Sequence, residues 1–442
     1  MIILVTIFIL IIGYKFYIAI NGRVRILSVT SLFFIFYLIF DIIGSVLLNY
    51  VQFPAEIESG FYNNPEIVFR IWLYTMFGLV GLLIGFAISH QVNSRNHSIR
   101  QISNFALETP IKYSRYDFSN SNFRFCLFFL LTGLIVLLLY RKQIGILPIE
   151  SLANGLSAIE LAVERSAATN DFSGKMYRYD IFMNTLPMLL FIVTFFISRN
   201  TKKKKWKILF ILFFLFNTFY ALSTLQKGPI IRLFLVYYIM HVLYKKNINK
   251  KLLLTIITIS VPVIILMYMF FMGQSDRPIG MIMEGALHRI FIGAIAPFYW
   301  YIKYFDSHDL LWGASFPNPG GLLPFTSVRL TVLMMNYGFD TGDVVGSMPT
   351  VFLGEMYANF GVIGMIISSV VVGFLLQSLD NLFFRKFAKN KTVILCSIFV
   401  FLTNYFSKYT ESSISNVFVD VNIYVVLLIY FIYNQRKKTY MR

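Results

Sequence analysis

Charge is scarce in this chain. Only 14% of its 442 residues are charged, roughly half of the ~25% that a soluble globular domain carries. A water-facing surface cannot be built from so little, so an ordinary soluble enzyme and a disordered polypeptide are both excluded. Cysteine is scarcer still. Cys126 and Cys396 are the whole complement, each inside an apolar run, which leaves no disulfide framework and no thiolate metal knuckle. There is no Walker loop, no dinucleotide glycine fingerprint, no HExxH and no closely spaced His/Cys set. Nucleotide-driven chemistry therefore has no sequence support, and neither a cofactor nor a metal is expected. The pairs Asp306/Asp309 and Asp340/Asp343 have a spacing that invites a divalent cation, but acids three apart are ordinary in solvated loops.

What is abundant is apolar and aromatic: 57% hydrophobic residues, with 47 phenylalanines and 27 tyrosines, and a mean hydropathy of +0.69. A membrane helix needs about 20 mostly apolar residues, because in lipid only helices and closed barrels satisfy the backbone. Such runs occur at 2–20, 26–49, 70–89, 123–140, 181–199, 208–224, 229–244, 252–272, 351–377, 392–408 and 417–433. The expectation is an all-α integral membrane protein, one polytopic domain over 1–442 with about 11 transmembrane helices. The first run lacks a basic n-region and a small-residue cleavage site, so it reads as an uncleaved helix. The stretch 290–305 is short and holds Pro297 and Lys303, which predicts an interfacial or re-entrant helix.

The net charge of +18 invites a nucleic-acid reading, and its distribution decides the matter. One alternating set of loops and ends holds 25 basic residues against three acids, Glu108, Asp117 and Asp380. The opposite set holds 13 basic residues and 16 acids. By the positive-inside rule the first set is cytoplasmic, with the C-terminus inside and the N-terminus outside. The basic excess belongs to topology, and no nucleic-acid partner is expected.

Two outer loops are long, 141–180 and 273–350, and loops of that length are more often functional than idle. In the first, Ile149, Leu152, Leu156, Ile159 and Val163 follow helical spacing, which predicts an amphipathic helix on the membrane surface or over a cavity. It ends near Arg165, and Lys175, Arg178 and Asp180 follow. The second loop brings Arg277, Glu284, His288, Arg289, His308 and Arg329 close to the membrane. It also contains FPNPGGLLPF at 316–325, whose prolines and paired glycines forbid a helix and impose a turn-rich path. Between two spans lies Thr224-Leu225-Gln226-Lys227-Gly228-Pro229, with Arg232 a turn later. Arginine inside a membrane helix faces a cavity, pairs, or snorkels to the interface. Asp41 and Asp420 also fall inside spans, as relay groups or as partners of a cation such as Lys15 or Arg232. Trp300, Tyr301, Tyr304 and Trp312 read as interfacial anchors, with stacking on sugar faces as the alternative.

Four features together resemble the Wzy-type O-antigen polymerases, the oligosaccharide repeat-unit polymerases of bacterial surfaces. They are the outer helix ending near Arg165, the turn SerThrLeuGlnLysGly at 223–228, FPNPGGLLPF, and SMPTVFLGEMYANFGVIGM at 347–365. The resemblance implies a helical bundle like that of GT-C glycosyltransferases in the bacterial inner membrane. It implies transfer of a glycan from undecaprenyl diphosphate to a sugar hydroxyl of a second lipid-linked repeat unit on the outer face. A chain-length-regulating co-polymerase is the further partner implied. Such chemistry needs cations on the leaving diphosphate and a base for the acceptor hydroxyl. The expected clamp is drawn from Arg165, Arg178, Lys227, Arg232, Arg277, Arg289 and Arg329, and the expected base is Glu355, then His288. Many family members have arginine where Lys227 stands, and lysine meets phosphate only as a point charge. A lipid-linked oligosaccharide flippase and an O-antigen ligase are the competing readings.

Overall fold

The computed structural model describes residues 1–22, 27–93, 106, 108–154, 158–168, 172, 176–271, 278–318, 321–339, 346–415 and 420–441. All eleven apolar runs are helices: α1 Ile2–Asn21, α2 Val29–Tyr50, α3 Pro65–Asn93, α4 Asn120–Ile144, α5 Met176–Arg199, α6 Lys204–Ser223, α7 Lys227–Lys245, α8 Lys250–Phe271, α9 Phe352–Asn390, α10 Val393–Ser407 and α11 Val421–Met441. Among the described residues, nine of these helices are long and apolar enough to cross a membrane. The two remaining runs form α7 and α11, whose polar ends, Lys227 to Arg232 and Asn434 to Met441, dilute their apolar content.

Burial sorts the helices. α5 and α10 form the centre, enclosed on all sides, whereas α1 and α8 stand at the periphery with most of their apolar side chains exposed. That is the pattern expected of lipid-facing helices, since a bilayer rather than protein covers them. α3 and α9 pack along much of their length through small residues. A methyl group at Gly85 would sit 2.2 Å from the carbonyl oxygen of Val370, and one at Gly373 would sit 2.3 Å from that of Leu82. Close backbone approach of this kind drives helix association where no hydrophobic effect operates between helices.

Two of the three acids in the basic set have structural duties. Asp380 accepts hydrogen bonds from Ser28 Oγ (2.6 Å), Val29 N (3.1 Å) and Thr30 N (3.0 Å), and so caps the start of α2. Asp117 takes Ser114 N (2.5 Å) and Tyr433 OH (2.5 Å), tying a loop to α11.

Within the segment expected as one amphipathic helix, Pro148–Ala153 and Ala158–Ala168 are helical, and Leu156 lies outside the described residues. Asn154 leaves helical geometry between them, and Val163 is exposed rather than buried. The run 290–305 likewise divides, into the end of Ile279–Phe291, a turn, and the eight-residue helix Phe298–Phe305. At 1.5 Å per residue, eight residues are far too short to span a bilayer. Trp300 and Tyr301 are buried in the core, so neither anchors at an interface nor faces a sugar; Trp312 is exposed.

Candidate active site

α9 begins where extended residues 347–351 dock on the turn after Ile279–Phe291: Thr350 Oγ1 donates to Ala294 O at 2.9 Å and Val351 N to the same oxygen at 3.3 Å. The helix then runs only to Phe360. Gly361 has φ 65° and ψ −160°, a conformation that glycine alone adopts without strain, and the helix resumes beyond it in a new direction. Interrupting the helix frees carbonyls that would otherwise be paired. Leu311 N donates to Ala358 O (3.0 Å) and Trp312 N to Asn359 O (3.1 Å), while Asn359 Oδ1 accepts from Gly313 N (2.9 Å). The resemblance-bearing segment 354–361 is thus a platform on which the loop 311–316 is seated. Of the Pro/Gly stretch after it, residues 319 and 320 lie outside the described residues; Asn318 holds Leu323 N at 2.8 Å and Phe325 O at 2.6 Å.

Glu355, in the first turn of α9, is buried and fully engaged. Its Oε1 accepts from Ser315 Oγ (3.1 Å) and from Ser415 Oγ, and its Oε2 from Ile414 N (2.9 Å) and Ser415 N (3.1 Å). Two loops distant in sequence meet on this one carboxylate.

Next to the second of those loops is a cavity of about 430 Å³. Its wall is assembled from the adjoining ends of five helices: Asp180, Asn184 and Thr185 of α5, Asn217 and Tyr220 of α6, Gly228, Pro229 and Arg232 of α7, Asn404, Tyr405 and Lys408 at the end of α10, and Asn422 of α11. Glu411 and Ser412 of the loop after α10 complete it. Asn184 and Thr185 lie in a π-helical turn, Ile181–Thr185. Such turns add a residue to the helix and recur at functional sites.

Most charges around the cavity are committed. Asp180 Oδ1 accepts from Asn184 Nδ2 (3.1 Å) and Tyr220 OH (3.2 Å). Lys408 Nζ lies 3.7 Å from Asp420 Oδ2 and 3.8 Å from the centre of the Tyr405 ring. Tyr405 OH donates to Asp420, and Tyr409 OH to Tyr405 OH at 2.8 Å. Arg232 and Glu411 differ from these. Among the described residues neither side chain makes a hydrogen bond or an ion pair, although each residue lines the cavity. Asn217 and Asn404 also present side-chain oxygens without a donor.

The sequence-derived set is not gathered here. Arg232 lines the cavity, and Lys227, the first residue of α7, adjoins its wall at Gly228. Arg165 is half-buried in Ala158–Ala168, and its helix packs through Leu161 against Ala221, Leu225 and Ile230, beside the α6–α7 turn. Arg178 is exposed with its guanidinium over Tyr177, and Arg289 and Arg329 are exposed on other segments. Arg277 lies outside the described residues. His288 pairs through Nε2 with Glu56 at 2.9 Å and rests edge-on against Phe53, away from the cavity lining. Asp420 pairs with Lys408 rather than Lys15 or Arg232. Asp41 pairs with neither: it is fully buried in the π-helical turn Tyr37–Ile43, with no hydrogen-bond partner on either oxygen among the described residues.

Lys408, Glu411 and the asparagines were not singled out from the sequence. A signal existed, in that Asn184, Asn217 and Asn404 each interrupt an apolar run close to the end opposite the basic loops.

Residues 342–439 match the family model described as O-antigen polysaccharide polymerase Wzy. The resemblance read from the sequence is borne out over this part, which includes Glu355 and the cavity residues from Phe401 to Asn422. The match supports O-antigen polymerisation by a multi-pass membrane protein. No curated protein and no solved structure matches the chain.

Proposed function

We propose that this chain is a membrane glycosyltransferase that polymerises undecaprenyl-diphosphate-linked repeat units of O-antigen or a related polysaccharide, at the outer face of the bacterial inner membrane. The observation that carries the reading is a pair of opposite charges on the wall of one polar cavity, Arg232 and Glu411, whose side chains make no hydrogen bond among the described residues. The helix ends that build this cavity lie opposite the basic loops, which is the outer side by the positive-inside rule.

In the reaction, the bond between the donor sugar's anomeric carbon and the diphosphate oxygen breaks, and the electron pair leaves with undecaprenyl diphosphate. A new bond forms from the acceptor hydroxyl oxygen to that carbon, and the hydroxyl proton goes to a base. Arg232 offers a planar fork of donors to the leaving diphosphate, and Lys408 adds a point charge. Glu411 takes the acceptor proton, because among the described residues its oxygens accept no hydrogen bond, whereas those of Glu355 accept four. Asn217 and Asn404 accept from sugar hydroxyls. A chain-length-regulating co-polymerase is the expected partner.

The test uses cells lacking the native gene and complemented with variants, with surface polysaccharide resolved on gels. A donor aimed at developing charge is worth about 10²–10³-fold in rate. Arg232→Ala and Glu411→Gln, at normal protein level, are therefore expected to leave single repeat units in place of the ladder. Normal ladders for both would overturn the proposal. Loss of even single units would point to a flippase, and accumulation of lipid-linked polymer off the core to a ligase.

A further inference from the structure

Glu355 does not line the cavity, yet it is the point at which the loop carrying Glu411 is fixed. The chain leaves α10 at Ser407, turns through Lys408–Thr410, and reaches Glu411 with Glu411 N on Lys408 O at 3.0 Å. From the other side the same loop is held three and four residues on, where Ile414 N and Ser415 N both donate to Glu355 Oε2. Ser415 Oγ adds a third bond, to Oε1, and Ser315 Oγ brings the platform loop onto that oxygen. Backbone amides cannot rotate to find other partners, so the loop's path past Glu411 depends on this acceptor. Each oxygen of Glu355 already accepts two hydrogen bonds, so neither has an acceptor position open to a substrate hydroxyl.

We infer that Glu355 is a positioning residue: by holding Ile414 and Ser415 it keeps Glu411 on the cavity wall, and it takes no proton itself. The inference rests on the reading of Glu411 as the acceptor base. Placement at this level matters, because a displacement of about 1 Å at a reacting group costs on the order of 10²-fold in rate.

Glutamine separates positioning from proton transfer. Its carbonyl oxygen replaces Oε2 toward the two amides, and its NH2 donates to Ser315 and Ser415, whose hydroxyls rotate to accept. Alanine removes the whole junction. Two measurements on full-length protein purified in detergent decide the matter. The first is turnover of lipid-linked repeat units, and the second is the rate at which a cysteine placed by Glu411→Cys reacts with a maleimide. Glu355→Gln is expected to retain most of the turnover and to leave the labelling rate unchanged. Glu355→Ala is expected to lower turnover at saturating substrate by about tenfold or more and to raise the labelling rate several-fold.

Glu355→Gln as inactive as Glu355→Ala, with labelling unchanged in both, would make Glu355 the base and overturn the inference. Equal labelling in all backgrounds would also overturn it. Should Arg232→Ala and Glu411→Gln retain full turnover, the assignment of the cavity fails instead, and the labelling comparison still reports whether Glu355 fixes the loop.

Discussion

Two carboxylates near the start of α9, Asp306 and Glu355, are both committed, but to partners of different kinds. Glu355 is held by neutral donors, whereas Asp306 grips a cation. Arg70 reaches it with two parallel bonds, Nη1 to Oδ2 at 2.5 Å and Nη2 to Oδ1 at 2.9 Å, and Tyr357 OH adds a third at 2.8 Å. The bridge joins α3 to Phe298–Phe305 and α9, and it removes Asp306 from the acid pair that hinted at a cation. Burial pushes the Asp306 carboxyl up, but the hydrogen bonds from Arg70 and Tyr357 outweigh it and hold it below its ordinary 3.8. An acid so depressed stabilises the fold above its unfolded-state value, and that contribution is lost as pH falls through the lower folded value. Asp306→Asn is therefore expected to lower the melting midpoint at neutral pH and to flatten the acid-side decline, followed in detergent from about pH 6 to 3. An unchanged midpoint with an unchanged slope would show that the bridge contributes nothing.

At the scale of elements, the break in α9 does what an unbroken helix cannot. Phe352–Phe360 presents carbonyls to the loop 311–316, and the remainder of α9 turns away to pack along α3. Gly361→Ala forces a side chain into a backbone region reserved for glycine, at about 1–3 kcal/mol. The expected result is faster proteolysis between residues 311 and 325 with α3–α9 packing retained; an unchanged cleavage rate would show that the break tolerates a side chain. Helix positions were legible in the sequence because run length and apolarity are local properties, as α3, α5 and α10 illustrate. The stop at Asn154 was not, since the hydrophobic spacing runs on through it. Arg232 was legible as a charge in an apolar run. Glu411 was not, for an acid in a loop gives no sign that Glu355, 56 residues earlier, fixes its position. Nor does sequence tell that Arg178, Arg289 and Arg329 stay apart, because which helix ends adjoin is decided by packing.

For the whole molecule, the two sets of helix ends differ in kind. One carries the basic loops together with the caps built on Asp117 and Asp380. The other carries the cavity, the Asp306 bridge and the Glu355 junction. An alkaline phosphatase reporter, active only outside the cytoplasm, is expected to be active when inserted near residue 322 and inactive near residue 203. The reverse pattern would overturn the orientation proposed for the cavity.

The seam between α3 and α9 has a consequence in time. Ser89 and Ser378, which face each other across it, are 289 residues apart, and the cap that Asp380 places on Ser28 joins residues 352 apart. At a synthesis rate of about 5–20 residues per second, the ribosome needs tens of seconds to deliver the partner. Throughout that interval α2 has only its local Ser28–Ser31 capping box, without Asp380, and α3 has its glycine face bare to lipid. α2 and α3 thus complete their packing only once the last third of the protein has been made.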